Sequence, residues 1–223
     1  MNENSLREQG FTGGMTSNGF LTKVLPVFSL GLLMTLVGSF FGWDLPNAVL
    51  IGAIVIEFIM VFTSQKWAYS ERGNANIGIF LFFTTLTGIT MVPLLKWALH
   101  VSGPGIILQA LGTSIATFAG LTIFGLVTKK DFSGIGGFLM AGLIGLIVAS
   151  IANIFIGGNA MALGISILSV LIFSGFILYD MAMIRRNFSD KDFIIAALAL
   201  YLNFINLFQS ILRIFGILGS SKD

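Results

Sequence analysis

Apolar runs of about twenty residues, separated by short polar connections, recur along this chain and constrain its fold more than any other feature. A helix needs about twenty apolar residues to cross the hydrocarbon core of a bilayer. Hydrophobic residues make up 56% of the sequence and charged residues only 10%, whereas a soluble domain has about a quarter charged residues. The mean hydropathy of +0.95 agrees with this pattern. The sequence therefore predicts an all-α, polytopic membrane protein.

Seven runs are long enough, and they predict spans at residues 21–41, 47–66, 77–98, 105–127, 135–156, 160–184 and 193–218. Every connection between them is short, so residues 21–218 are expected to form one domain, a seven-transmembrane-helix bundle. Residues 1–20 are polar and rich in glycine, which predicts a cytoplasmic tail, and residues 219–223 would be a short C-terminal tail.

The lysines and arginines are divided unevenly between the two ends of these spans. Nine lie in the N-terminal tail, near the start of the first span or in the loops after spans two, four and six, and three lie at the other ends. Because basic loops stay in the cytoplasm, we expect an inner-membrane, multi-pass protein with its N-terminus inside and its C-terminus outside. The net charge of +2 gives no reason to expect a nucleic-acid partner.

Composition also narrows the chemistry. The chain has no cysteine and one histidine, which excludes disulfides, thiolate metal sites and cysteine nucleophiles. The HExxH, GxSxG and Walker motifs are absent. We therefore expect no enzyme activity and no cofactor, and the lipid bilayer is the partner that composition alone predicts.

Two acids lie inside predicted spans, where a charged side chain is costly and marks a functional site by default. Glu57 lies near the middle of the second span, and Asp180 lies roughly 7 Å before the Arg185–Arg186 pair, from the helical rise. Each also has a structural alternative. Glu57 could be protonated and bonded to a backbone carbonyl, and Asp180 could be an interfacial acid balanced by basic residues of a neighbouring loop.

The seventh span carries a polar face, because four polar residues follow at spacings of three, four and three: Asn203, Asn206, Ser210 and Arg213. A short loop joins the sixth and seventh spans, so Asn203 and Asn206 could be partners of Asp180. The alternative is that both asparagines only bond neighbouring helices. Arg213 is expected to extend its side chain towards the membrane surface.

Small residues on two spans predict close helix–helix contacts. They follow at intervals of four in the fourth and fifth spans: Gly112, Ala116 and Gly120, and Gly137, Ala141, Gly145 and Ala149.

Several segments resemble the Bax inhibitor-1, or transmembrane BAX inhibitor motif, family. FILYD at 176–180 and LALYLNFINLFQSILRIFGIL at 198–218 are similar to its C-terminal signature. IEFIMVF at 56–62 and LTGITMVPLL at 86–95 are similar to its second and third spans, and residues 129–155 resemble the bacterial YccA branch. The resemblance covers nearly the whole chain and implies seven helices with the last near the centre.

The bacterial calcium-leak members, similar to YetJ, imply a pH-sensing pair of acids that gates a calcium path. Asp180 matches the first acid, whereas Asn203 stands where a YLDFINLF-like motif has the second. An Asp–Asn pair has one titrating group and cannot share a proton as two acids do. Glu57 matches the acid of the family's second span, and Lys66 and Arg72 are candidates for a basic residue near the inner end of that span.

Two functions remain open. The first is a pH-influenced leak channel for Ca²⁺ or other cations, in which Asp180 and Glu57 supply oxygen ligands and Asn203 is a neutral gate partner. The second, implied by the YccA branch, is an inhibitor of a membrane-anchored ATP-dependent (AAA) protease in a stress response, contacted through residues 1–20 and without transport. Ca²⁺ flux through the pure protein in liposomes distinguishes them.

Overall fold

A computed structural model describes residues 14–69 and 74–220 of the chain, with side chains described from residue 76 onward in the second range. Within these residues all regular structure is helical. The long helices are α1 Ser17–Gly42, α2 Asn47–Phe62, α3 Asn74–Ser102, α4 Gly105–Val127, α5 Gly136–Ile156, α6 Asn159–Arg186 and α7 Phe193–Gly219. A short helix, Ser64–Ala68, follows α2, and a 3-10 turn, Ser133–Ile135, precedes α5.

Six of these helices are long and apolar enough to span a bilayer, and α2 is a shorter apolar helix of 16 residues. It ends four residues before the predicted boundary because the backbone leaves the helical region at Thr63, with φ −95° and ψ 3°. Helix α1 begins four residues earlier than predicted because the Thr16 hydroxyl accepts a hydrogen bond from the Gly19 amide at 2.9 Å and caps the helix. The chain is a polytopic helical membrane protein.

Helix α7 is the most buried of the six spanning helices. Within its apolar 18-residue segment 78% is buried, against 44% or less in each of the other five. Leu200, Leu207 and Leu212 along its length are fully buried. This burial agrees with the expected central position of the last helix.

The chain divides into two compact units. The first contains the described residues up to Val92 together with Met183–Tyr201, and the second contains Pro93–Ala182 together with the described residues from Leu202. Helices α1 and α2 belong to the first unit and α4 and α5 to the second, whereas α3, α6 and α7 contribute residues to both.

In the first unit, α1 and α3 cross with their backbones in close approach. A Cβ atom added at Gly38 would collide with the carbonyl oxygen of Thr85, and one at Gly88 would collide with that of Thr35. The Thr35 hydroxyl also lies 2.6 Å from the hydroxyl of Tyr201 on α7. Only glycine allows this crossing, because nothing larger than a hydrogen atom fits between the two backbones.

In the second unit, the small-residue contacts predicted on α4 and α5 are wrong. Added Cβ atoms would meet no atom within 4 Å at the glycines of both stripes, which are Gly112, Gly120, Gly137 and Gly145. The close contacts lie elsewhere, where Gly125 packs against Met181 and Gly142 against Ile172. A spacing of four places residues on one face of a helix but does not say which way that face points, so these stripes face outward.

The residues just before α1 are held against the loop between α6 and α7. The Thr16 amide donates to Oδ1 of Asp190 at 2.9 Å, and the Thr16 hydroxyl donates to Oδ2 of the same carboxylate at 3.0 Å. The Met15 amide donates to the carbonyl oxygen of Ile184 at 3.1 Å. The predicted tail is therefore docked from residue 15, and its residues 1–13 lie outside the described part of the chain.

Candidate functional site

The connection 187–192 joins α6 to α7, the two helices that carry Asp180 and Asn203. The backbone amide and the hydroxyl of Ser189 both donate to Oδ2 of Asp192, at 2.7 and 2.8 Å. The carbonyl oxygen of Asp192 accepts from the Ala196 amide at 3.0 Å, which is the first hydrogen bond of α7. These bonds close a tight turn between the end of α6 and the start of α7.

Asp180 on α6 and Asn203 on α7 are in direct contact. Nδ2 of Asn203 donates a hydrogen bond to Oδ2 of Asp180 at 2.5 Å, which confirms the contact predicted from the sequence. Asn203 is 5% exposed and Asp180 is partly buried. Ile177 and Met181, one turn before and one residue after the acid, are fully buried. The pair therefore lies in apolar surroundings, where each hydrogen bond to a carboxylate is worth more than in water.

This contact uses only part of the hydrogen-bonding capacity of the pair. Among the described residues, no hydrogen bond reaches Oδ1 of Asp180 or Oδ1 of Asn203. A carboxylate offers about four lone-pair positions and an amide carbonyl offers two. Two oxygen atoms thus keep acceptor capacity for a ligand.

The rest of the predicted polar face on α7 does not join this pair. Nδ2 of Asn206 donates to the carbonyl oxygen of Leu202, and the Ser210 hydroxyl donates to that of Asn206, both at 2.7 Å. Arg213 has an exposed side chain and lies roughly 15 Å along α7 from Asn203, from ten residues at the helical rise. Asn206 and Ser210 bond to their own helix. The prediction that Asn206 is a partner of Asp180 is therefore wrong for the amide nitrogen of Asn206.

Glu57 on α2 forms a second polar cluster, in the first unit. The Thr87 hydroxyl donates to Oε1 and the Thr90 hydroxyl donates to Oε2, both at 2.7 Å. Thr87 is buried, and Glu57 and Thr90 are partly buried. One hydroxyl donor on each carboxylate oxygen holds the orientation of the side chain against α3. The sequence alternative, a bond between a protonated Glu57 and a backbone carbonyl, is not what these contacts describe.

Sequence reasoning missed Thr87 and Thr90. Their spacing of three places both hydroxyls on one face of α3, and that was the available signal. Four other threonines and serines of the helices show why it was weak, because their hydroxyls bond backbone carbonyls of their own helix: Thr85, Thr113, Ser114 and Ser166. A sequence does not show which hydroxyls reach across to a neighbouring helix.

Two further residues, Lys66 and Arg72, were candidates for a basic residue near Glu57. Lys66 is exposed on the short helix Ser64–Ala68, and Arg72 lies outside the described residues. Asp180 and Glu57 belong to different units, and each has neutral hydrogen-bond donors as its partners. Across the described residues, no group of three or more His, Cys, Asp or Glu side chains could hold a metal ion. A cation at either acid would need amide, hydroxyl or backbone oxygens to complete its ligands.

These features define a polytopic helical membrane protein with an acid–amide pair, Asp180 and Asn203, between two of its spans. The sequence matches the family model described as inhibitor of apoptosis-promoting Bax1 over residues 17–220. The chain therefore belongs to the Bax inhibitor-1 family.

Bacterial relatives carry the similarity across most of their length. An uncharacterized membrane protein of Vibrio cholerae serotype O1 is 44% identical over 177 residues, which is 79% of this chain and 78% of the relative. One of Streptococcus pyogenes serotype M1 is 41% identical over 172 residues, with 74% and 73% covered. An uncharacterized protein of Helicobacter pylori is 34% identical over 211 residues, with 92% and 88% covered. None of these names gives an activity.

Proposed function

We propose that this protein is a pH-influenced leak channel for cations, with Ca²⁺ as the principal ion, in the inner cell membrane. The observation that carries the proposal is the hydrogen bond between Asn203 and Asp180 inside two adjacent spans. Acids within spans are rare because they are costly, and they mark ion paths and proton relays. This acid has one neutral partner and one oxygen without a hydrogen bond among the described residues, so a passing ion has a ligand to bind.

A single acid suits a leak better than a tight binding site. The affinity of a Ca²⁺ site rises with the number of charged ligands, and Asn203 adds an oxygen without adding a charge. Conduction requires that an ion binds well enough to enter and weakly enough to leave. An Asp–Asn pair therefore favours transient occupancy.

Glu57 would provide a second oxygen position. Thr87 and Thr90 hold both of its carboxylate oxygens at 2.7 Å. Because hydroxyl groups can both donate and accept, the two threonines could turn their oxygens towards a cation that binds Glu57. A carboxyl group held in this way can meet a ligand without changing its rotamer.

The second candidate function is modulation of a membrane-anchored ATP-dependent protease. One observation favours it, namely the bonds from Met15 to Ile184 and from Thr16 to Asp190. They hold Met15 and Thr16, at the described end of the N-terminal segment, against the end of α6 and the connection to α7. This function needs no ion path.

The test is Ca²⁺ flux through the purified protein in liposomes that contain a Ca²⁺ indicator. We expect flux above that of protein-free liposomes, and we expect Asp180→Asn to reduce it roughly tenfold, because a hydrogen-bonded charge contributes about 1.5–3 kcal/mol. Asp44→Asn is the matched control, since Asp44 is exposed between α1 and α2. Flux no higher than in empty liposomes would remove the channel, and degradation assays with the reconstituted protease would then decide the second function.

A further inference from the structure

One buried hydroxyl in α4 has no hydrogen-bond partner among the described residues. Thr122 is 7% exposed, and its Oγ1 is fully enclosed without a donor or an acceptor. Two other hydroxyls of α4 do have partners. The Thr113 hydroxyl donates to the Gln109 carbonyl oxygen at 2.8 Å, and the Ser114 hydroxyl donates to the Ala110 carbonyl oxygen at 2.7 Å. Buried polar groups are almost always satisfied, and leaving one unpaired is costly. The Thr122 hydroxyl is therefore expected to have a partner that is not a protein group.

Contacts on either side of Thr122 involve the residues that directly follow the acid and the amide. Four residues earlier, the ring of Phe118 packs edge-to-face against Phe204, with centroids 5.4 Å apart. Three residues later, a Cβ atom at Gly125 would lie 2.7 Å from Cβ of Met181. Phe204 directly follows Asn203, and Met181 directly follows Asp180. All of these residues belong to the second unit.

Helix geometry narrows the position further. Residues three and four apart share a helix face, so Phe118, Thr122 and Gly125 lie on the face of α4 that meets α6 and α7. Thr122 lies roughly 4.5 Å along the axis from Gly125 and roughly 6 Å from Phe118, from the helical rise. It therefore lies at a height between the contact to the helix of Asn203 and the contact to the helix of Asp180.

We propose that Thr122 is the third protein oxygen of a cation site that Asp180 and Asn203 begin. The inference rests on the proposed cation path, and it adds to that path a residue on a third helix. The site would contain Oδ1 of Asp180, Oδ1 of Asn203 and the Thr122 hydroxyl, with waters as the remaining ligands. Oxygen ligands with one negative charge suit a divalent cation such as Ca²⁺ held loosely.

The first experiment compares Thr122→Val with Thr122→Ser in the flux assay. Valine keeps the shape of the side chain and removes the hydroxyl, whereas serine keeps the hydroxyl. We expect Thr122→Val to lower the initial Ca²⁺ flux roughly fivefold, the size of one lost ligand contact, and Thr122→Ser to stay within about twofold of the native protein. Thr113→Val is the control, because its hydroxyl bonds its own helix on an exposed face.

The second experiment measures the change of Tm that Ca²⁺ causes in detergent, which does not depend on transport. A ligand that binds the folded state raises Tm, so we expect Ca²⁺ to raise Tm in the native protein and in Thr122→Ser, and to have little effect in Thr122→Val. Native flux with an unaffected Thr122→Val would overturn this inference and leave the channel standing. If flux is absent but Ca²⁺ still raises Tm only in the proteins that keep the hydroxyl, the site stands and the channel is overturned.

A different result is expected if the Thr122 hydroxyl has no partner of any kind. Replacing it by valine would then raise Tm in the absence of Ca²⁺, because the cost of burying an unsatisfied polar group disappears. That result, or a native protein whose Tm does not respond to Ca²⁺, would also overturn the site.

Discussion

Nδ2 of Asn203 lies 2.5 Å from Oδ2 of Asp180, and this bond joins α7 to α6 inside the membrane-spanning part of the chain. An amide in this place leaves the pair with one ionisable group, so protonation of Asp180 is the only change of charge that the pair can undergo. The amide also supplies a donor to the ionised form of the acid. The pair can thus hold one negative charge without the repulsion that two adjacent carboxylates would cause.

The crossing of α1 and α3 should not tolerate a methyl group. Gly88→Ala would push its Cβ into the carbonyl oxygen of Thr35, a backbone atom that cannot rotate away. We expect a loss of roughly 1–3 kcal/mol in the free energy of unfolding, as for other overpacked sites, measured by thermal unfolding in detergent. Gly52→Ala is the control, because an added Cβ there meets nothing within 4 Å. Equal stability of the two variants would show that α1 and α3 do not cross at Gly88.

Thr87 and Thr90 form a clamp on the Glu57 carboxylate, and this clamp should contribute measurably to stability. Thr87→Val and Thr90→Val each leave one oxygen of a partly buried carboxylate without its donor. We expect each to cost roughly 1–3 kcal/mol, and Glu57→Gln should fold and change the flux. Thr85→Val is the matched control, since its hydroxyl bonds only the Leu81 carbonyl. A double-mutant cycle between Glu57→Gln and Thr87→Val should give a coupling of at least about 0.5 kcal/mol, and additive effects would argue against the clamp.

The docked N-terminal segment should depend on the Asp190 carboxylate. Asp190→Asn weakens charge-assisted bonds to the amide and the hydroxyl of Thr16. We expect faster limited proteolysis near residue 16 and a loss of roughly 1–2 kcal/mol in stability. Lys191→Gln is the control in the same loop, because Lys191 has an exposed side chain. Unchanged cleavage in Asp190→Asn would mean that this contact does not hold the segment.

Reporter fusions should place the two termini on opposite sides of the membrane. The N-terminus and the loop 187–192 should report the cytoplasm, and the C-terminus should report the outside, because nine of the twelve basic residues lie at one set of helix ends. The bond between Met15 and Ile184 agrees with a shared side for the first two positions. A fluorescent cytoplasmic reporter at the C-terminus would contradict this orientation.

The long helices and one contact between them could be predicted from the apolar runs and the short connections in the sequence. Apolar runs predicted helices α1 to α7, although α2 is shorter than a spanning helix. Asp180 and Asn203 could be paired because only a short loop joins α6 to α7. Helix boundaries depend on local hydrogen bonds, such as the cap that Thr16 provides to α1, which hydrophobicity does not predict.

The sequence does not predict in the same way which face of a helix is packed or which partner a polar side chain bonds. Gly112 and Gly145 were expected in helix contacts and face outward, because small residues fit a lipid-facing surface as well as a packed one. Asn206 could bond either Asp180 or its own helix, and the carbonyl of Leu202, four residues earlier, is always within reach. Thr87 and Thr90 bond Glu57 because their faces of α3 meet α2, and the sequence does not show which helices lie side by side.

The most direct test of the cation path is Ca²⁺ flux through the pure protein as a function of pH, with Asn203→Asp and Asp180→Asn measured beside the native chain. Two acids at this distance cannot both ionise easily and titrate as a coupled pair. The control is Asn206→Asp, which adds an acid to the same helix at a residue whose amide bonds its own backbone.

We predict that Asn203→Asp gives a steep pH response of the flux at roughly pH 6–7, in the range where catalytic and coupled acids are commonly tuned. The native protein should show the shallower response of one titrating group, and Asp180→Asn should show none. A flux that stays flat with pH in Asn203→Asp, or that responds equally in Asn206→Asp, would contradict the role of the Asp180–Asn203 pair.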